Sequence, residues 1–239
     1  MDHDKKNEKS AGNIVRRDFI KASGVIYVAA VVGCAKPGPT APTLTMTVAA
    51  ANLEYAPSQG YLVVDSKKCQ GCLSCMLACS LAHHGSEDLT LSRIQIVQDP
   101  FGKFPDDLSI GQCRQCVDPQ CVKECPEGAI FIDEEHGNVR RVDEDLCVGC
   151  MTCVESCPHL PSRAVWNVAD QVSQKCDLCA EVPHWRQGGG GPGGRQACVS
   201  VCPVAAIKFQ RAVPVQDGDA GYEVNLRGAA WKRMGYADD

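Results

Sequence analysis

CVGCMTCVESCP, residues 147–158, contains four cysteines separated by two, two and three residues, with a proline after the last one. Three other segments carry variants of this pattern: CQGCLSCMLAC (69–79), CRQCVDPQCVKECP (113–126), and a split version made of CDLC (176–179) and CVSVCP (198–203). The segments begin roughly 30 to 45 residues apart, which indicates a repeated structural unit. They contain all of the chain's 17 cysteines except Cys34.

Three roles for these cysteines compete. Disulfides form in exported proteins because the outside is oxidising, but cysteines two residues apart, four times over, crowd too much sulfur into single loops. Zinc is a stronger alternative because C-x2-C pairs are common zinc motifs. A tetrahedral zinc site needs two such pairs, however, whereas segments 69–79 and 147–157 each place four cysteines close together. The run C-x2-C-x2-C-x3-C-P is typical of bacterial ferredoxins, which bind [4Fe–4S] clusters.

The spacing has a geometric explanation in an iron–sulfur protein. Two-residue gaps let one tight loop reach three corners of a cubane cluster, with backbone N–H groups turned toward the sulfurs. The fourth cysteine lies just before proline and begins a helix that leads away, so it ligates the neighbouring cluster. Pro126, Pro158 and Pro203 follow the last cysteine of three segments, and Ser80 replaces proline in the first. Sixteen cysteines therefore predict four [4Fe–4S] clusters.

The composition of the chain suits a metal-stabilised fold. Only 5% of its 239 residues are aromatic, and metal binding supplies folding free energy where an apolar core is thin. The formal net charge of −5 and the absence of a basic stripe exclude nucleic acid as an expected partner. Short β-prone segments flank the cysteines and predict an α+β fold of short strands, short helices and long loops. These segments are 61–65, 93–97, 129–133, 138–143, 164–168 and 206–209.

The first residues are typical of an export signal. VRRDFIK (15–21) is similar to the twin-arginine consensus, and the apolar run from Ala22 to Ala35 is too short to span a bilayer. The twin-arginine route moves folded, cofactor-loaded proteins, as an iron–sulfur protein requires. VVGC (31–34) resembles a lipobox and makes Cys34 a candidate for lipidation, the alternative being a cysteine discarded with the signal. Residues 1–34 are predicted to be the signal, and 35–60, rich in Pro, Ala and Thr, a flexible tether.

Over residues 61 to about 210, the order of segments, the x4 gap in segment 113–126 and the split last segment resemble the iron–sulfur subunits of the dimethyl sulfoxide reductase family. The resemblance implies two nested dicluster units, an outer one (61–110 with 170–210) and an inner one (111–169). The implied ligand sets are Cys69, Cys72, Cys75 and Cys202 for cluster 1; Cys176, Cys179, Cys198 and Cys79 for cluster 2; Cys113, Cys116, Cys121 and Cys157 for cluster 3; and Cys147, Cys150, Cys153 and Cys125 for cluster 4.

The resemblance also implies a function. Such subunits catalyse no reaction themselves and pass electrons between a molybdenum or tungsten pterin catalytic subunit and a membrane quinone or cytochrome partner. Residues 75–96 are also similar to ferredoxin-like partners of aldehyde-oxidising tungsten enzymes. The alternatives are an independent polyferredoxin shuttle and a redox sensor. The location implied is the periplasm or the outer face of the cytoplasmic membrane, with attachment to the membrane by lipid or by a partner.

For several other residues the sequence leaves two roles open. Residues 222–236 of the cysteine-free tail (211–239) are a candidate docking segment, or they lie on the chain's own body. The glycines near 188–194 predict a flexible loop. His83, His84 and His159 ligate or tune a cluster, or hydrogen-bond to the backbone. Lys175 and Lys208 flank cluster ligands, and they either offset anionic charge there or are ordinary surface lysines.

Overall fold

The computed structural model describes residues 55–185 and 189–235. The predicted signal, Cys34 and residues 35–54 of the predicted tether lie outside this part of the chain. Within it, no helix is long and apolar enough to cross a membrane.

Short elements alternate along the described residues. The strands are β1 (Tyr61–Val64), β2 (Ile94–Gln98), β3 (Leu108–Gln112), β4 (Ile130–Asp133), β5 (Val139–Val142), β6 (Ala164–Asn167), β7 (Val172–Lys175) and β8 (Ile207–Gln210). The α-helices are α1 (Ser74–His84), α2 (Gln120–Lys123), α3 (Thr152–Glu155), α4 (Ala197–Val201) and α5 (Ala229–Arg233). The small strands and few short helices agree with a ferredoxin-like dicluster fold.

The strands form four antiparallel pairs among the described residues: β1 with β8, β2 with β3, β4 with β5, and β6 with β7. The first pair joins the two ends of the cysteine-rich region, with Tyr61 opposite Gln210 and Val64 opposite Ile207. The other three pairs connect strands that are consecutive in the sequence. The six strands expected from the sequence are confirmed. β3 and β7 were not predicted, because LSIGQ contains a glycine and VSQK is mostly polar.

Cysteines form part of the main apolar core. Leu62, Val64, Ile94 and Leu178 are almost fully buried there, each at 1% exposure or less. The same cluster of buried side chains includes Cys69, Cys75, Cys79 and Cys198. Aliphatic packing and sulfur-lined space are therefore continuous, and the fold is stabilised by whatever the cysteines bind as well as by the hydrophobic effect.

The C-terminal tail lies against the chain's own body. Val64 N–H donates to Tyr222 O (2.8 Å), and Val224 N–H donates to Val64 O (2.7 Å), so the tail adds a short stretch beside β1. Further on, Leu226 N–H and the Arg227 guanidinium both donate to the buried Asp65 carboxylate. These residues of the tail therefore pack on the body that contains β1. Docking by the tail on a partner stays a prediction.

Tyr222 anchors this tail. Its side chain is 1% exposed, its hydroxyl donates to Arg114 O (2.6 Å), and the Arg114 guanidinium lies 4.8 Å from the centre of its ring. We expect Tyr222→Ala to lower the free energy of unfolding by about 3–5 kcal/mol, as for other buried aromatic truncations. Tyr222→Phe keeps the ring and should cost only about 1 kcal/mol.

Urea unfolding of the anaerobic protein, followed by fluorescence, measures these differences. Val215→Ala is the control because Val215 is 64% exposed in the same tail, and it should change the free energy of unfolding by less than about 0.5 kcal/mol. Equal midpoints for Tyr222→Ala and Val215→Ala would show that the tail contributes nothing to stability.

Four candidate cluster cavities

Four cavities in the described structure are each lined by at least four cysteines, and we number them I to IV. The cysteines are Cys69, Cys72, Cys75 and Cys202 in cavity I; Cys79, Cys176, Cys179 and Cys198 in cavity II; Cys113, Cys116, Cys121, Cys153 and Cys157 in cavity III; and Cys125, Cys147, Cys150 and Cys153 in cavity IV. Each set of four implied by the family resemblance thus lines one cavity, with Cys153 shared between cavities III and IV, and the assignment of each set to one cluster stays a prediction.

The backbone explains how one segment serves two cavities. In segment 69–79, Gly71 and Leu73 have left-handed conformations (φ +64° and +59°), which curl the loop so that three sulfurs face cavity I. Helix α1 then begins, and Cys79 lies one turn beyond Cys75, a rise of about 6 Å. That turn is enough to deliver Cys79 to cavity II.

The same backbone arrangement recurs in the third segment. Gly149 and Met151 are left-handed (φ +71° and +63°), and α3 follows directly. Glycine tolerates this conformation freely, whereas leucine and methionine accept it only with strain. The sequence repeat is therefore also a repeat of local structure, with three sulfurs turned into one cavity and the fourth sent to another.

Backbone N–H groups point at the cysteine sulfurs, as the loop geometry predicts. Some donors come from the same loop, such as Gly71 to Cys69 (3.5 Å) and Gln115 to Cys113 (3.4 Å). Others come from residues further along the chain: Arg93 to Cys79 (3.3 Å), Arg163 to Cys157 (3.3 Å), Ser173 to Cys147 (3.5 Å) and Ala206 to Cys202 (3.2 Å). Such hydrogen bonds stabilise negative charge on sulfur and tune cluster potentials.

The donor chemistry fits a cluster in each cavity. Burial, together with the thiols of Cys69 and Cys202, raises the pKa of Cys75 to about 12. Burial likewise raises the pKa of Cys116 and of Cys179 to about 12. Clustered sulfurs that repel one another as thiolates need a cationic centre between them, and an iron–sulfur core supplies one. Four sulfurs per cavity also match the ligand number of a [4Fe–4S] cluster.

Cavity II has a buried charged network beside it. The Asp177 carboxylate accepts hydrogen bonds from His83 Nε2 (3.0 Å), from the Arg93 guanidinium (2.6 Å) and from Cys179 N–H (2.9 Å). Burial alone would lower the pKa of His83, but the Asp177 carboxylate outweighs it and raises the pKa to about 10. His83 Nδ1 lies 2.8 Å from Cys79 O and 3.8 Å from Cys79 Sγ. His83 therefore hydrogen-bonds to the backbone and also lies beside a sulfur.

The described part of the glycine-rich insert packs against the backbone of Leu178 and Cys179, two residues that line cavity II. Gly191 N–H donates to Leu178 O (2.8 Å), and the Gln196 side-chain amide donates to Gly191 O (2.8 Å). A Cβ on Gly190 would overlap the carbonyl oxygen of Cys179. The described part of the insert is packed, because only glycine allows the two backbones to approach so closely. Composition alone predicted flexibility and missed this contact.

Successive cavities, from I to IV, are neighbours. The charge of Cys75 in cavity I helps to raise the pKa of Cys198 in cavity II. The charge of Cys113 in cavity III likewise helps to raise the pKa of Cys176 in cavity II. Cys153 of cavity IV also lines cavity III. Cys72 in cavity I and Cys150 in cavity IV are solvent-exposed, whereas every cysteine of cavity II is buried or half-buried.

Comparison with known proteins agrees with this geometry. Residues 107–212 match the family described as "4Fe-4S dicluster domain". The chain is 30% identical over 198 residues to the NrfC homolog of Haemophilus influenzae, covering 81% of this chain and 78% of the relative. It is 35% identical to NrfC of Escherichia coli K12 with the same coverage. It is 31% identical over 169 residues to the thiosulfate reductase electron transfer subunit PhsB of Salmonella typhi, covering 66% of this chain and 79% of PhsB.

These matches define a ferredoxin-type iron–sulfur protein. The chain belongs to the NrfC- and PhsB-like family of electron-transfer proteins with a 4Fe-4S dicluster domain.

Proposed function

We propose that this chain holds four [4Fe–4S] clusters, one in each cavity, and acts as the non-catalytic electron-transfer subunit of an extracytoplasmic oxidoreductase. The observation that carries the proposal is the series of four neighbouring cavities, each lined by at least four cysteines, with an exposed cysteine in each terminal cavity. Bound clusters supply reversible one-electron redox chemistry.

The protein's own groups have three tasks in this function. The sixteen cysteines hold the clusters in a fixed order. The backbone N–H groups of Arg93, Arg163 and their counterparts stabilise negative charge at the sulfurs. The apolar walls of cavity I, formed by residues such as Ile96, Ile110 and Ile207, exclude water from the sulfurs. Together these arrangements favour electron passage through the interior, with entry and exit near Cys72 and Cys150.

We further propose that the catalytic partner contains a molybdenum or tungsten pterin. A membrane quinone or cytochrome protein exchanges electrons with the cluster at the opposite end of the series. The support is the family resemblance together with the relative PhsB, whose name describes a subunit of a larger enzyme. The twin-arginine motif and Cys34 support export of the folded protein and attachment to the membrane by lipid or by a partner.

Isolation of the complex tests this assignment. The full chain, tagged at its C-terminus and expressed in its own host, is purified anaerobically from cell fractions, and the metals of the copurifying proteins are measured. We expect a large partner with stoichiometric molybdenum or tungsten in the periplasmic or membrane fraction. A chain recovered alone, with its clusters and without a stable partner, would favour the independent shuttle instead.

A further inference from the structure

Charged side chains are distributed very unevenly over the four cavities. Among the residues that the structure describes, no charged side chain lines cavity I, and Glu127 is the only charged residue lining cavity IV. Cavity II is lined by His83, Arg93 and Asp177, which pair with one another. Cavity III is lined by four cationic residues and a histidine, namely Arg114, Arg140, Arg163, Lys175 and His159.

Two of the cations at cavity III are buried without a counter-charge. Lys175 is 3% exposed, and its ammonium group interacts with the sulfur of Cys113. Arg140 is fully buried and donates to two carbonyl oxygens, those of Asn138 (2.6 Å) and Ala56 (3.0 Å). In the described part of the chain, neither side chain forms an ion pair. A buried cation without a carboxylate is costly unless another anion lies nearby.

The two other cations share one carboxylate. Asp219 accepts from Arg114 Nε (2.8 Å) and from Arg163 NH2 (2.9 Å) and lies 3.5 Å from His159 Nδ1. One negative charge cannot neutralise two guanidinium groups. Cavity III therefore faces four cationic side chains balanced by a single carboxylate, an excess that no other cavity has.

We infer that Lys175 and Arg140 make cavity III the electron-holding site of the series, where a cluster has the highest reduction potential of the four. This inference deepens the proposed function and rests on it. Adding one electron makes a cluster and its thiolates more negative, so nearby cations stabilise the reduced state and Glu127 at cavity IV disfavours it. In a partly reduced protein, the electron leaves the neighbouring clusters and remains at cavity III.

Lys175→Gln tests the inference with little change in shape, because glutamine keeps an N–H donor and loses the charge. Potentiometric EPR titration of the full, cluster-loaded chain should show the highest midpoint falling by at least about 59 mV, a tenfold change in the one-electron equilibrium. The other midpoints should remain in place. Lys175→Arg keeps the charge and should keep the highest midpoint. Lys208→Gln is the matched control, since Lys208 is exposed on β8.

Asp219→Asn is the complementary variant and acts in the opposite direction. It removes the carboxylate shared by Arg114 and Arg163, so the same highest midpoint should rise. If Lys175→Gln binds too little iron to be titrated, Asp219→Asn is the test on its own. A rise of the highest midpoint potential supports the inference, and an unchanged or lower potential overturns it.

Two further results would overturn the inference while leaving the proposed function intact. One is a fully loaded Lys175→Gln protein whose highest midpoint does not move. The other is a shift confined to a cluster of lower potential. A wild-type protein without iron and sulfide would overturn the proposed function as well, so the two failures are distinguishable.

Discussion

Alanine in place of both Cys79 and Cys198 is expected to remove one cluster, with iron falling from about 16 to about 12 atoms per chain. Alanine in place of Cys75 and Cys79 is expected to remove two clusters and leave about 8 iron atoms. The difference follows from the cavities: Cys79 and Cys198 both line cavity II, whereas Cys75 lines cavity I. Replacing two cysteines that are far apart in the sequence thus removes fewer clusters than replacing two that are close together.

Anaerobic iron and acid-labile sulfide analysis of each variant gives the counts, and EPR after dithionite reduction shows which signals disappear. Cys34→Ala is the matched control, because Cys34 lies outside the four cysteine segments of the sequence, and it should retain about 16 iron atoms. Loss of two clusters from the Cys79 and Cys198 double variant would show that these cysteines serve different sites and that the pairing is wrong.

Gly190→Ala is expected to empty cavity II, with loss of about 4 iron atoms per chain. The added methyl group would overlap the backbone carbonyl of Cys179. A backbone atom cannot move aside as the end of a flexible side chain can. The backbone of Cys179, a ligand of the proposed cluster in this cavity, must therefore shift.

Gly193→Ala is the control for this variant. Gly193 lies in the same insert, and a Cβ there would meet no atom within 4 Å. Iron content and urea unfolding should be unchanged for Gly193→Ala and reduced for Gly190→Ala. If both variants keep the full iron content, the insert does not support cavity II.

The cysteine loops were predictable from the sequence because their chemistry is local. In a tight loop, cysteines at every third residue place their sulfurs around one metal centre. Gly71 and Gly149 occupy equivalent positions of the repeat and both have the left-handed conformation that glycine tolerates. The strands beside the loops were predictable for a similar reason, since β-branched residues cluster in 61–64 and 139–142. The grouping of Cys198 with Cys79 came from the family resemblance, because nothing in the spacing connects residues so far apart.

The remaining features depend on tertiary contacts. Lys175 and Lys208 look alike in the sequence, yet Lys175 is buried beside the cysteines of cavity III and Lys208 is exposed, since β7, unlike β8, contributes a residue to the lining of that cavity. Tyr222 is buried because the tail pairs with β1 through backbone hydrogen bonds to Val64. Gly190 is packed because the insert folds back on Cys179.

The number of clusters is measured most directly by anaerobic iron and acid-labile sulfide analysis of the purified full chain, together with its EPR spectrum after dithionite reduction. The four cavities predict about 16 iron and about 16 sulfide, with interacting signals from cubane clusters. Zinc without sulfide would contradict the electron-transfer account and leave a structural metalloprotein. About 12 of each would mean that one cavity, against its four-cysteine lining, holds no cubane.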